Sequence, residues 1–204
     1  MNTSKLPALV LHYIFDPLCG WCYAAAPLVK AAREVPGIEV QWHAGGMLTG
    51  AHTRTITADW RDKVMPSDQR IAEMTGQPFG DAYLNGLLND IGAPLDSEPP
   101  TTALLAAEAL AGKGLEMLAA EQKAHYVEGR RISEPAVLRE LAAGIDLDSA
   151  AYDAAYAEQS GAATQKHIAE SREWLGMVQG QGFPTLALEF DHPEQPGQRA
   201  IQRI

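Results

Sequence analysis

Asp16-Pro17-Leu18-Cys19-Gly20-Trp21-Cys22-Tyr23 holds both cysteines of this 204-residue chain, three positions apart. Upstream, residues 8 to 15 (Ala-Leu-Val-Leu-His-Tyr-Ile-Phe) form a continuous run of branched and aromatic residues. Such a run suits a central strand covered on both faces, and Asp16-Pro17 ends it as a turn. Downstream, Cys19 to Arg33 is rich in Ala and Leu and reads as a helix stopped by Pro36-Gly37. Pro27 inside it is expected to kink it, because proline removes a backbone donor and crowds the preceding turn. Ile38-Glu39-Val40-Gln41-Trp42 alternates as a second strand. The cysteine pair thus falls at the strand-to-helix joint of a β-α-β unit.

Spacing decides what such a pair is for. Two thiols three positions apart close a loop too short to staple a fold. An all-cysteine zinc site needs four, and His12, His43, His52 and His125 show no ligand spacing, so no metal is expected. At a helix start, residues i and i+3 share a face, close enough for a disulfide. The unpaired N–H groups and partial positive charge there favour thiolate. A thiol near about 8.5 falls to roughly 3.5–7.5 in such a setting. Cys19, nearest the end, is expected to attack, and Cys22, one turn in, to resolve the mixed disulfide.

Between Thr57 and Val178 no strand pattern stands out. Helical segments recur instead, punctuated by Pro66, Gly76-Gln77-Pro78, Gly92-Ala93-Pro94 and Pro99-Pro100. Ser133 before Glu134-Pro135 places a proline in a first helical turn. Asp146 or Asp148 is expected to cap the next helix, and Ser160 or Gly161 to break the chain before a last one ending near Val178. No fixed repeat period emerges. Strand signals return over residues 185 to 190 and again over 199 to 204. The fold class is therefore α/β, with a large all-helical insertion between the second and third strands. Its sheet domain is discontinuous, residues 1–56 and 179–204, and the insertion covers 57–178, its last helix packing back on the sheet.

Hydrophobic residues make up 46% and charged residues 21%, enough apolar content for a real core. The formal charge of −10 argues against a nucleic-acid partner, which needs clustered Lys and Arg. Lys5 followed by the apolar run to Phe15, with Ala24-Ala25-Ala26 behind, superficially suggests a signal peptide. Asp16-Pro17 interrupts that pattern, and cleavage there would discard both cysteines. With no stretch long enough to span a bilayer, no membrane partner is expected and the cytoplasm is the expected compartment.

The strand leading into Cys19-Gly20-Trp21-Cys22 resembles the thioredoxin superfamily, and the helical insertion resembles its DsbA-like branch. Residues 16 to 23 are similar to FrnE-like and hydroxychromene-carboxylate-isomerase-like members. The second half of the match is Gly182-Phe183-Pro184-Thr185, where that superfamily places a cis-proline against the cysteines. The resemblance implies a cis Phe183–Pro184 bond, with the backbone of Phe183 pairing with substrate. It implies a thioredoxin-like fold and a dithiol–disulfide oxidoreductase acting on protein or small-molecule disulfides. No cofactor beyond the cysteines is expected, with glutathione as a co-substrate. A glutathione-dependent isomerase or transferase, or a non-catalytic redox-sensing module, remain open alternatives.

The sequence departs from the family pattern in three places. Gly20 stands where many relatives carry proline, so Gly20 and Trp21 are expected to tune thiolate stability. Phe183 is bulkier than the usual residue before the cis-proline. A final helix normally follows the last strand, so one sheet face is expected to be bare or covered by a partner, as in a homodimer. Asp16 is a further candidate for proton transfer or for holding the turn. His43, after the second strand, is a weaker candidate, better explained as a solvated loop residue. Trp42, Trp60 and Trp174 read as packing, and Gly45-Gly46 as loop punctuation.

Overall fold

The computed structural model describes residues 9–204. Lys5 and Ala8, with the start of the signal-like run, lie outside the described residues. The first strand, β1 (Leu9–Phe15), is followed by helix α1 (Gly20–Arg33) and strand β2 (Ile38–Ala44). Two later strands, β5 (Thr185–Asp191) and β6 (Arg199–Arg203), complete one sheet in the order β2-β1-β5-β6. β1 pairs parallel to β2 with Phe15 opposite Ala44, and antiparallel to β5 with Ile14 opposite Thr185. Every β1 residue from Val10 to Phe15 is buried, and the run is apolar except for His12, because both faces of the strand are covered.

Between β2 and β5 lie helices α2 (Ala58–Thr75), α3 (Glu98–Ala111), α4 (Gly114–Tyr126), α5 (Pro135–Gly144), α6 (Ser149–Gln159) and α7 (Ala162–Met177). A π-helical turn, Ala82–Gly86, follows α2. Local chemistry sets most boundaries. Thr57 caps α2 by accepting from Trp60 N, and Asp148 caps α6 by accepting from Ala150 N and Ala151 N. Pro135 occupies the first turn of α5, where its missing N–H costs nothing. α7 lies across β2 and β1, and Trp174 on it stacks on His12 at 4.1 Å between ring centroids.

Three expectations need correction. Pro66 does not separate helices but sits inside α2, which runs unbroken to Gly76, where the left-handed φ of 72° ends it. Pro99-Pro100 likewise lie in the first turn of α3 rather than between helices. The stretch after Thr57 also contains a strand. β4 (Pro94–Leu95) pairs with β3 (Arg54–Thr55) in a two-residue ladder, too short to show alternation.

Candidate active site

α1 begins where β1 ends, and that joint fixes the cysteines. Cys19 is the N-cap of α1 with φ −94° and ψ 116°, and its carbonyl accepts from Cys22 N at 3.0 Å and Tyr23 N at 3.1 Å. No acidic side chain lies in the first turn of α1, and Lys30 and Arg33 lie in its last. The positive end of the helix is therefore uncancelled by its own sequence. Cys19 is 7% exposed and Cys22 fully buried. Both are thiols here.

The pair is asymmetric. A hydrogen bond from the Cys22 thiol to the ionised Cys19 sulfur is what most holds Cys19 below the ordinary thiol range, although burial opposes it. Backbone N–H groups of Cys22 and Trp21 act in the same direction. Cys22 is pushed well up, first by burial and then by its bond to Cys19. The thiolate is thus stabilised on the outer cysteine and the proton on the inner one.

The Phe183–Pro184 bond is cis and lies just before β5. The Cys19 Sγ–H donates to the Phe183 carbonyl at 3.4 Å. The large Phe183 side chain is accommodated by its neighbour. A Cβ built on Gly45 would stand 2.3 Å from Phe183 Cζ, so the ring lies flush on a backbone that carries no side chain. Gly45 lies in the loop after β2, as the sequence suggests, and is a packing requirement as well. Its signal in the sequence is a glycine directly after β2, interpretable only once Phe183 is known to face it.

Asp16 is a fully buried junction. Its carboxylate accepts from Leu18 N at 2.9 Å, from Ser97 Oγ at 3.0 Å and from Met47 N. Burial pushes its pKa up, opposed by those three donors and by the Arg172 guanidinium. Arg172 itself donates to the carbonyls of Gly45 at 2.9 Å and Gly46 at 2.6 Å. Met47, Ser97 and Arg172 escaped the sequence reading because nothing local marks them. Trp21 is half-buried beside Arg70, whose guanidinium carbon lies 5.9 Å from the ring centroid. Gly20 packs under α2, where a Cβ would stand 3.1 Å from Asp68 Oδ1 and 3.1 Å from Ile71 Cδ1.

His43 is not a solvated loop residue. It belongs to β2, its Nε2 is 3.0 Å from His12 Nδ1, and its ring lies 5.0 Å from that of Trp174. Its contacts are on the α7 side, among histidines and Trp174, and burial first, then the neighbouring His12, lowers its pKa to about 4. His12 continues to Glu189 at 3.0 Å, and Glu189 to Arg199 at 2.8 Å.

No protein-family model matches the chain, and a search of curated proteins finds no match. Solved structures do match. The cytosolic disulfide reductase DsbM from Pseudomonas aeruginosa is 48% identical, with a TM-score of 0.83, over 94% of this chain and 88% of that one. The same enzyme solved with GSH is 47% identical, with a TM-score of 0.84, over 96% and 89%. A Nitrosomonas europaea protein proposed to be a disulfide isomerase is 22% identical, with a TM-score of 0.75, over 95% and 88%. A 2-hydroxychromene-2-carboxylate isomerase shares the fold at 14% identity and a TM-score of 0.56, over 95% and 88%. Among the described residues no helix is long and apolar enough to cross a membrane. A cysteine pair at a strand-to-helix joint, a cis-proline beside it and near-half identity to DsbM agree: the chain belongs to the DsbA-like branch of the thioredoxin superfamily and is a thiol–disulfide oxidoreductase.

Proposed function

We propose that the chain is a disulfide reductase in which Cys19 attacks, Cys22 resolves and glutathione returns the electrons. The observation that carries this reading is the placement of the two thiols, Cys19 at the N-cap of α1 against the Phe183 carbonyl and Cys22 fully buried one turn in, which holds Cys19 down and pushes Cys22 up. The Cys19 thiolate attacks one sulfur of a substrate disulfide, whose S–S bond breaks and expels the first substrate thiolate. Cys22 then gives up its proton and attacks the Cys19 sulfur of the mixed disulfide. The second substrate thiolate leaves, and the protein keeps a Cys19–Cys22 disulfide. Two glutathione thiols reduce that bond and leave as glutathione disulfide.

The Phe183 backbone, beside the Cys19 sulfur, is the surface on which a substrate strand would pair, with Pro184 flanking it. Gly20 and Trp21 tune the pair, and Asp16 holds the turn that presents it. The direction and the electron donor rest on DsbM, described as a cytosolic reductase and solved with GSH. The cytoplasm is proposed as the compartment on the same ground, with no cofactor beyond the cysteine pair.

Equilibration with a glutathione redox buffer, read by tryptophan fluorescence, tests this. A cooperative two-electron transition near about −270 mV is expected, whereas one near about −120 mV would make the protein an oxidase. Cys22→Ser should accumulate a mixed disulfide with glutathione and Cys19→Ser should not, and the reverse result exchanges the two roles. Absence of any transition overturns the dithiol reading in favour of a glutathione-dependent isomerase or transferase.

A further inference from the structure

The first turn of α1 has no acid of its own, yet an acid approaches it from another helix. Asp68 of α2 is 4% exposed, and its Oδ1 would lie 3.1 Å from a Cβ on Gly20, the residue that follows Cys19 and opens α1. Its Oδ2 accepts from the Tyr83 hydroxyl at 2.9 Å. Leu18, Gly20, Asp68, Tyr83, His125 and Tyr126 line one cavity of about 40 Å³ beside this contact. Glycine at position 20 is what permits it, because any side chain there would press on Asp68 and Ile71. The insertion therefore places a carboxyl group against the helix end that stabilises the thiolate.

We infer that Asp68 is a positioning residue that makes the Cys19–Cys22 pair more reducing, by holding negative charge against the start of α1. The inference rests on the dithiol reading above and adds the group that sets its poise. A carboxylate there competes with the Cys19 thiolate for the positive helix end and so destabilises the reduced form. Less stable dithiol means a stronger reductant, the converse of an oxidant whose reduced form is stabilised. Burial raises the Asp68 pKa to about 6, and the Tyr83 hydroxyl opposes that rise. The charge is therefore present at neutral pH and is lost as the pH falls through about 6. The titratable groups around it are Tyr83, His125 and Tyr126 across the cavity, and Cys19, Cys22 and Asp16 at the α1 start. His125 is buried and held down to about 4, so it stays neutral throughout this window.

The test compares wild type with Asp68→Asn in glutathione redox buffers, alongside a thiolate titration by ultraviolet absorbance. Each equilibrium passes two electrons from two glutathione thiols to the protein disulfide, with glutathione disulfide as the oxidised product. At pH 7.5 Asp68→Asn should shift the equilibrium toward the dithiol by about three- to tenfold, tenfold being about 30 mV for two electrons. The Cys19 midpoint should fall, and the difference from wild type should vanish at pH 5, where Asp68 is already neutral. Tyr83→Phe removes the donor that favours the charged form, so it should shift the equilibrium the same way by a smaller amount. It also provides the measurement if Asp68→Asn does not fold. An equilibrium unchanged at pH 7.5, or an equal shift at pH 5 and pH 7.5, overturns the inference while the wild-type transition leaves the dithiol reading intact. A wild type with no transition overturns both.

Discussion

Replacing Gly45 by alanine probes the contact that lets a phenylalanine precede the cis-proline. The added methyl would stand 2.3 Å from Phe183 Cζ and 2.4 Å from Cε1, whereas ordinary contact begins at 3.4 Å. The ring must retreat by about 1.1 Å, the gap between those distances. It has little room to do so, because Phe183 packs against both hydrophobic clusters of the molecule. Overpacking of this kind costs about 1–3 kcal/mol. For a chain of this length each kcal/mol moves the melting temperature by about 2–4 °C. The Phe183 carbonyl that meets Cys19 moves with the ring, so thiol–disulfide exchange should slow by about tenfold or more. Urea unfolding of Gly45→Ala, Phe183→Ala and the double variant supplies the cycle. Phe183→Ala alone destabilises by removing a half-buried ring, but in that background the Gly45 methyl enters vacated space and its cost disappears. A coupling energy of about 1–3 kcal/mol is expected. Single effects that add to within about 0.5 kcal/mol, or a Gly45→Ala protein as stable as wild type, would refute the packing argument.

Three further outcomes follow from buried polar groups. Glu121 is fully buried with neither carboxylate oxygen bonded, and burial pushes its pKa well up. The folded protein keeps a proton that the unfolded chain releases above the usual carboxylate range, so this site lowers stability as pH rises. Glu121→Leu should therefore stabilise the protein at pH 7.5 by about 1–3 kcal/mol, less at pH 4.5, as read from urea midpoints at the two values. His43 has the opposite sign, because its fall from the usual 6.5 to about 4 means the unfolded chain takes up the proton first as pH drops. Its stability contribution is complete above about 6.5 and lost toward about 4. It amounts to about 2 kcal/mol once partial solvent screening is allowed, and His43→Gln should flatten that slope in the same urea series. Asp16→Asn keeps the shape but leaves one of the Leu18 and Met47 N–H groups facing an amide donor, costing about 1–3 kcal/mol. It also removes a charge that raises Cys19, so thiolate absorbance should appear at lower pH.

What the sequence disclosed was local. The run from Leu9 to Phe15, the cysteine pair and Pro184-Thr185 each announce their element within a few residues, and β1, α1 and β5 lie close to where those signals put them. The cis bond at Pro184 agrees with what the resemblance implied. Pro66 misled because a proline in a helix costs one donor and a local clash, and a capped helix of 18 residues absorbs both. His43 misled because its strand continues two residues past the alternating pattern, and its partner His12 lies 31 positions away. The site's supporting cast is hidden for the same reason. Asp16 meets Met47 across 31 positions and Ser97 across 81, and Gly45 meets Arg172 across 127. None of these pairs has a period or spacing, since tertiary folding alone creates them.

The helical insertion therefore does more than cover the sheet. Ser97 at the start of α3 bonds the aspartate behind Cys19, Arg172 of α7 grips the Gly45-Gly46 backbone beneath Phe183, and α2 closes over Gly20 with Asp68. With these walls in place the two sulfurs keep almost no solvent. A charge near them is then weakly screened, so one carboxylate moved by a few ångströms alters thiol poise more than it would at a wet surface. Two acids act on this small volume, Asp16 tied by three donors and Asp68 by one. The better-tied acid fixes geometry, because no neutral side chain satisfies all three of its donors. The less-tied acid, free to change charge near neutral pH, is the one that evolution can adjust to set potential without unmaking the site.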